Sequence, residues 1–191
     1  MGSNLMRTVT FADLDVVDRV KKNFVAVWHN QSPELYSSGP AKQEKYTTDQ
    51  VRAYPQGGGG GNVRSYFCTP DGKVLYYLEG FWTKERYLAE AGFARDLADK
   101  GRKHAGAELP AVVRQALEER GREVADERRA IRAKHPTEFE GRFQPTEVRK
   151  REAALGLLEK TLQASAAQVG VPVRPIMDKL RAENIRRGAL K

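Results

Sequence analysis

The stretch that decides the fold is Gly61–Gly80, GNVRSYFCTPDGKVLYYLEG. Two short runs rich in Val, Leu, Phe and Tyr flank Pro70-Asp71-Gly72, the sequence form of a β-hairpin. Pro70 presets φ near about −65° in the turn, and Gly72 tolerates the positive φ that follows. Leu75 and Tyr77 alternate with Tyr76 and Leu78, so bulky groups leave the second strand on both sides and both faces of the sheet are expected to be covered. After Gly80 and Phe81-Trp82, Thr83 stands at the N-cap of a helix on which Leu88, Ala91, Phe93 and Leu97 form a core stripe. This helix is expected to lie back across the sheet.

Upstream, residues 8–22 read as a short extended piece followed by a helix. Asp13 or Asp15 caps it, and Leu14, Val17 and Val20 return at helical spacing. Phe24-Val25-Ala26-Val27-Trp28 is then a continuous apolar run of strand length, the signature of a strand buried on both faces. A polar loop follows, and residues 41–54 read as a helix with Thr47 or Thr48 as a second possible start, stopped by Pro55. Gly57–Gly61 is a run of five glycines. A phosphate cradle leads from a strand into a helix N-terminus, whereas this run leads from a helix into a strand. It is therefore expected to be a flexible surface loop.

The order of these elements, with an apolar strand ending in Trp28 and a late Asp71-Gly72 hairpin followed by Gly80 and a helix, resembles the thioredoxin-like fold over residues 5–98. The resemblance implies a trimmed α/β three-layer sandwich. Thioredoxins place a CxxC pair directly after the Trp-terminated strand, because the chemistry needs a thiolate stabilised by a helix N-terminus and a second, resolving thiol. The matching positions here are His29, Asn30, Gln31 and Ser32, with no cysteine. The cis-proline that the family places before the hairpin strand is also missing, since the matching pair is Asn62-Val63. The chain is thus similar to redox-inactive thioredoxin-like domains of bacterial proteins, whose common use is binding other proteins.

Residues 1–100 are almost balanced in charge, with 13 basic and 12 acidic side chains, whereas residues 101–191 carry 20 basic and 13 acidic. This asymmetry divides the chain into an α/β domain over residues 1–99, a basic linker over 100–108 and a helical extension over 109–191. In the extension, Val112, Val113, Ala116, Leu117, Val124 and Ile131 form one stripe, ended by His135-Pro136. Thr146 caps a second helix to about Val169, with Val148, Leu155, Leu158, Leu162 and Val169 at a/d spacing. Residues 175–187 form a short last helix with Ile176, Leu180 and Ile185 inward and Gly188 as C-cap.

Few residues stand out for chemistry. The single cysteine, Cys68, excludes an internal disulfide and a cysteine metal cluster. It reads as a packed strand residue or as a lone redox thiol. His29, Asn30, Gln31 and Ser32, with Asn62, form a polar set outside the strand's end, suited to hydrogen-bond recognition. The histidines lack metal-ligand spacing, and no catalytic constellation, metal or cofactor is expected. Arg128, Arg129, Arg132, Arg149, Lys150 and Arg151 make basic clusters that would suit nucleic-acid phosphates, but interleaved acids favour a solvated helical face. No apolar run reaches the roughly 18 residues of a membrane span. A cytoplasmic location is expected if this is the whole chain, and export if a signal peptide has been removed. The leading expectation is a non-catalytic protein-interaction or scaffold module, bound to a partner or to itself through the helical extension. The alternatives are a nucleic-acid-associated protein and a single-thiol redox protein.

Overall fold

The hairpin forms where its turn residues put it. In the computed structural model, which describes residues 2–27, 46–59, 63–104, 108–140 and 146–189, β1 (Arg64–Cys68) pairs antiparallel with β2 (Val74–Glu79). Tyr66 faces Tyr77 and Phe67 faces Tyr76. Gly72 adopts φ +78° in the turn. The register slips between Phe67 and Cys68, so that Leu75 has no partner on β1, a β-bulge that tightens the twist.

Seven α-helices surround this ribbon among the described residues: α1 (Gly2–Leu5), α2 (Leu14–Asn23), α3 (Thr48–Ala53), α4 (Lys84–Lys103), α5 (Leu109–Lys134), α6 (Glu147–Gln168) and α7 (Val173–Ala189). Local chemistry sets several starts. The Asp13 carboxylate accepts the Asp15 N–H at the head of α2. Thr47 and Gln50 form a reciprocal capping box on α3, and the Thr146 hydroxyl accepts the Arg149 N–H on α6, each replacing backbone partners that a first turn lacks.

Val74 to Leu78 are all buried. α4 covers β2 through Tyr87, Ala91, Ala94 and Leu97, and α6 packs on it through Leu155, Leu158 and Leu162. α5 lies along α6, and its Val113, Leu117 and Val124 join the same core, so the helical extension docks on the hairpin and both halves share one hydrophobic centre. Such sharing is what two narrow helical stripes require, because alone they would bury too little.

The two edges of the ribbon differ. On the outer side of β2, Val74 exchanges backbone hydrogen bonds with Gly170 and Val171 at 2.9 and 3.0 Å, and the Ser165 hydroxyl accepts the Tyr77 N–H at 3.3 Å. On β1, Val63, Ser65 and Phe67 bond toward β2, as the 2.9 Å bond from the Gly80 N–H to the Val63 carbonyl fixes. The main-chain groups of Arg64, Tyr66 and Cys68 therefore point outward, and no described residue bonds them.

Several expectations need correction. Phe24–Val27 is not a buried strand: Phe24 is extended and rests against Phe67, but Val25 and Val27 are 94% and 84% exposed and lack a ladder. The sheet of the described residues therefore has two strands, and the central strand of a three-layer sandwich is not among them. The short extended piece expected from Thr8 is instead the end of a π-helical turn, Met6–Thr10, that follows α1, because Met6 and Thr10 are buried and the Thr10 hydroxyl donates to the Trp82 carbonyl. α4 runs to Lys103 through the start of the supposed linker, where Lys100, Arg102 and Lys103 suit the negative end of the helix dipole. α7 continues to Ala189, past the expected cap at Gly188, and Ile185 is 44% exposed instead of inward.

The described glycines of the run form a docked turn. The Gly57 N–H donates to the Phe81 carbonyl at 2.6 Å and the Phe81 N–H to the Gly58 carbonyl at 2.9 Å. Gly80, at φ +84°, has no room for a side chain, because an added Cβ would lie 2.7 Å from the Gly58 carbonyl and closer still to that of Gly57.

Candidate functional site

Among the described residues Glu90 stands out, a carboxylate fully buried on α4. Its place follows from helix geometry: Tyr87, Glu90, Ala91, Ala94 and Leu97 fall on one stripe that packs on the sheet. A charge in that position needs partners. The Tyr76 hydroxyl donates to Oε2 at 3.1 Å, and Arg120 Nη2 donates to Oε1 at 3.2 Å from α5. Arg86 approaches to 3.7 Å. Phe93 walls the cluster, edge-on to Tyr76 and beneath the Arg120 guanidinium. Burial and then the Glu90 charge push the Tyr76 hydroxyl well above its usual range. A carboxylate held this way ties β2, α4 and α5 together and has no surface from which to reach a substrate.

Cys68 is half-buried on β1, and burial pushes its thiol up to about 11. A thiolate is the nucleophilic form, so this environment opposes the single-thiol reading.

The six predicted basic residues are brought to one region around α5 and α6, and each meets an acceptor. Arg128 bonds Glu152 at 2.8 Å and Glu159 at 2.5 Å, its guanidinium lying over Gly156, where an added Cβ would stand 3.1 Å from it. Arg132 bonds Glu152 at 2.9 Å and covers the Phe139 ring. Arg129 pairs with Asp126, Lys150 with Glu147 at 2.8 Å and Arg151 with Glu127 at 2.7 Å. Arg149 donates to the Glu138 carbonyl and also faces Phe139. Glu152 is central to this network: burial alone would raise its carboxyl, but Arg128 and Arg132 outweigh that and hold it below the usual range. The patch is thus largely neutralised within the fold.

His29, Asn30, Gln31, Ser32 and Asn62 lie outside the described residues. Two shallow grooves flank α5. One, of about 430 Å³, runs between α4 and α5 past Gly92, Phe93 and Arg120. The other, of about 300 Å³, runs between α5 and α6 past Leu117, Gly121 and Leu162. Among the described residues no cluster of His, Cys, Asp and Glu is placed to hold a metal ion, and no helix is long and apolar enough to cross a membrane. Glu90 was missed in the sequence, although its place three residues after Tyr87 and seven before Leu97 marks it as a charge inside an apolar stripe.

What the fold defines is a mixed α/β protein, mostly helical, built around a two-stranded antiparallel sheet. No protein-family model matches the chain, and no match is found among curated proteins or solved structures.

Proposed function

We propose that this chain is a non-catalytic protein-interaction module. The observation that carries the reading is the exposure of Val25 and Val27, at 94% and 84%, next to Phe24, whose ring rests against Phe67 of β1. Apolar side chains near strand hydrogen-bonding groups that no described residue bonds suit the capture of an extended segment. The ionisable groups give the complementary support. Glu90 is enclosed by its partners, burial disfavours the Cys68 thiolate, and Arg128, Arg129, Arg132, Lys150 and Arg151 are engaged in ion pairs. The docking surface thereby moves from the helical extension, whose stripes pack into the core, to the strand region. The thioredoxin-like resemblance belongs to this proposal and draws on the hairpin and α4 alone.

The test compares the wild-type chain with Val25→Lys/Val27→Lys as immobilised baits, with circular dichroism verifying that both are folded. Proteins retained by wild type are expected to fall about tenfold on the variant, in line with losing a buried apolar anchor. Equal retention by the two baits, or turnover in an insulin-reduction assay, would overturn the proposal.

A further inference from the structure

We propose that the exposed face of α7 binds the phosphate backbone of duplex DNA. This surface is separate from the Phe24–Val27 region, and neither reading depends on the other. Residues 169–191 hold six basic and two acidic side chains, so half of the net charge of +8 lies in this last stretch of the chain.

The placement of α7 sets it apart from α5 and α6. Its start is pinned to the hairpin turn, where the Val173 N–H donates to the Gly72 carbonyl at 2.9 Å. None of its described side chains joins the hydrophobic core. Burial along it follows the helical period: Val173, Ile176, Met177 and Leu180 are half-buried, whereas Arg174, Asp178, Lys179, Ala182, Ile185 and Arg186 are exposed. The exposed arc thus carries three cations and one acid. Asp178 pairs with Arg174 at 3.4 Å. Lys179 meets no acid among the described residues, and Arg186 Nε donates to the Ala182 carbonyl of its own helix at 3.4 Å, a partner that brings no negative charge. On α5 and α6, by contrast, Arg128 and Arg151 are neutralised by Glu152 and Glu127.

The chemistry of that arc selects the partner. Lys179 and Arg186 stand seven residues apart, about 10 Å along the helix axis, a span that fits the phosphates bordering a B-form major groove about 12 Å wide. The deep, narrow major groove of duplex RNA does not admit a helix. Single strands are held by stacking on aromatic side chains, and α7 has none. An anionic membrane takes up a helix through an exposed apolar face, but the apolar face of α7 is the half-buried one. An acidic protein groove makes the same demand. Contacts from Lys and Arg to phosphate fix position and carry no sequence preference.

A fluorescently labelled DNA duplex of generic sequence, titrated with the full chain and read by anisotropy, tests this. Three phosphate contacts give a slope of about −2.7 for log affinity against log salt, so binding should weaken about 40-fold when salt rises fourfold. Arg174→Gln/Lys179→Gln/Arg186→Gln should weaken binding at low salt by about tenfold or more and flatten the slope, with the circular dichroism of the fold unchanged. Arg129→Gln/Lys150→Gln/Arg151→Gln removes the same charge from the ion-paired surface and should stay within about threefold of wild type. No binding at low salt, an equal loss in the two triple variants, or tighter binding to single strands, duplex RNA or anionic vesicles would each overturn the proposal.

Discussion

Glu90→Leu and Tyr76→Phe, made singly and together, measure what the buried carboxylate does for the fold. Glu90→Leu keeps similar bulk but strands the Tyr76 hydroxyl, in a residue with no solvent exposure, without its acceptor. An orphaned buried donor costs about 1–3 kcal/mol. Breaking a fully buried ion pair can cost about 3–5 kcal/mol. Arg120 and Arg86, however, are 27% and 25% exposed, so both can turn to water, and Arg120 keeps Glu123 at 3.0 Å. A net loss of about 2.5 kcal/mol follows for Glu90→Leu. Tyr76→Phe removes one hydrogen bond to a charged group and leaves Glu90 with Arg120, a loss of about 1.5 kcal/mol. The double variant has neither donor nor acceptor to strand. It should lose about 1.5 kcal/mol, less than Glu90→Leu alone and against about 4 expected from adding the singles, a coupling near 2.5 kcal/mol. Urea unfolding followed by circular dichroism at neutral pH gives all four corners of the cycle. Losses that add to within about 0.5 kcal/mol would refute the view that Tyr76 and Glu90 act as a unit.

Three other perturbations probe different parts of the molecule. Gly80→Ala must fit a side chain against the Gly57 and Gly58 carbonyls at positive φ, a loss of about 2–4 kcal/mol. Gly92→Ala and Gly121→Ala meet open space in helix interiors and should each gain about 0.5–1 kcal/mol; thermal midpoints check both directions. Cys68, with its thiol raised from 9.0 to about 11 by burial, should react with a disulfide reagent at pH 8 about 100-fold more slowly than an unperturbed thiol. Reaction at the free-thiol rate would contradict that burial. Glu152, its carboxyl held below 4.5 by Arg128 and Arg132, contributes stability that is complete above the ordinary value and lost as pH falls through the lowered one. The advantage of wild type over Glu152→Gln in urea melts should thus stay level from pH 7 to about 5 and shrink below about 4.5; a constant gap down to pH 3 would contradict the pairing.

Local signals were legible in the sequence wherever short-range chemistry decides. The Pro70-Asp71-Gly72 turn, the Asp13, Thr47 and Thr146 caps and the stripes of α5 and α6 all follow from neighbours within a turn or two. Signals that depend on distant partners were not. Phe24–Val27 has the composition of a buried strand, but burial requires a neighbouring strand, and only Phe24 has found one. The piece starting at Thr8 reads as extended because Thr8, Val9 and Thr10 favour strands, yet Met6 and Thr10 are drawn onto the core and the Trp82 carbonyl. Ser165 interrupts an apolar spacing for a reason visible only in three dimensions, since its hydroxyl serves the backbone of β2. The basic clusters looked like a surface patch because the acids that neutralise Arg128 and Arg151 lie 24 or more positions away. The polar set at His29–Ser32 and Asn62 is legible as composition alone, because its residues fall outside the described structure.

The Ser165 contact has a consequence for how the protein is made. Ser165 follows Tyr77 by 88 positions, and Gly170 and Val171 close the same edge still later. At ordinary synthesis rates roughly 4–18 s separate the emergence of the hairpin from that of its cover. For that interval a nascent chain carries Val74–Leu78 with α4 available but α6 not yet made. The second side of the hairpin is then an apolar surface in need of a chaperone, and truncations before α6 should be held or degraded rather than released folded.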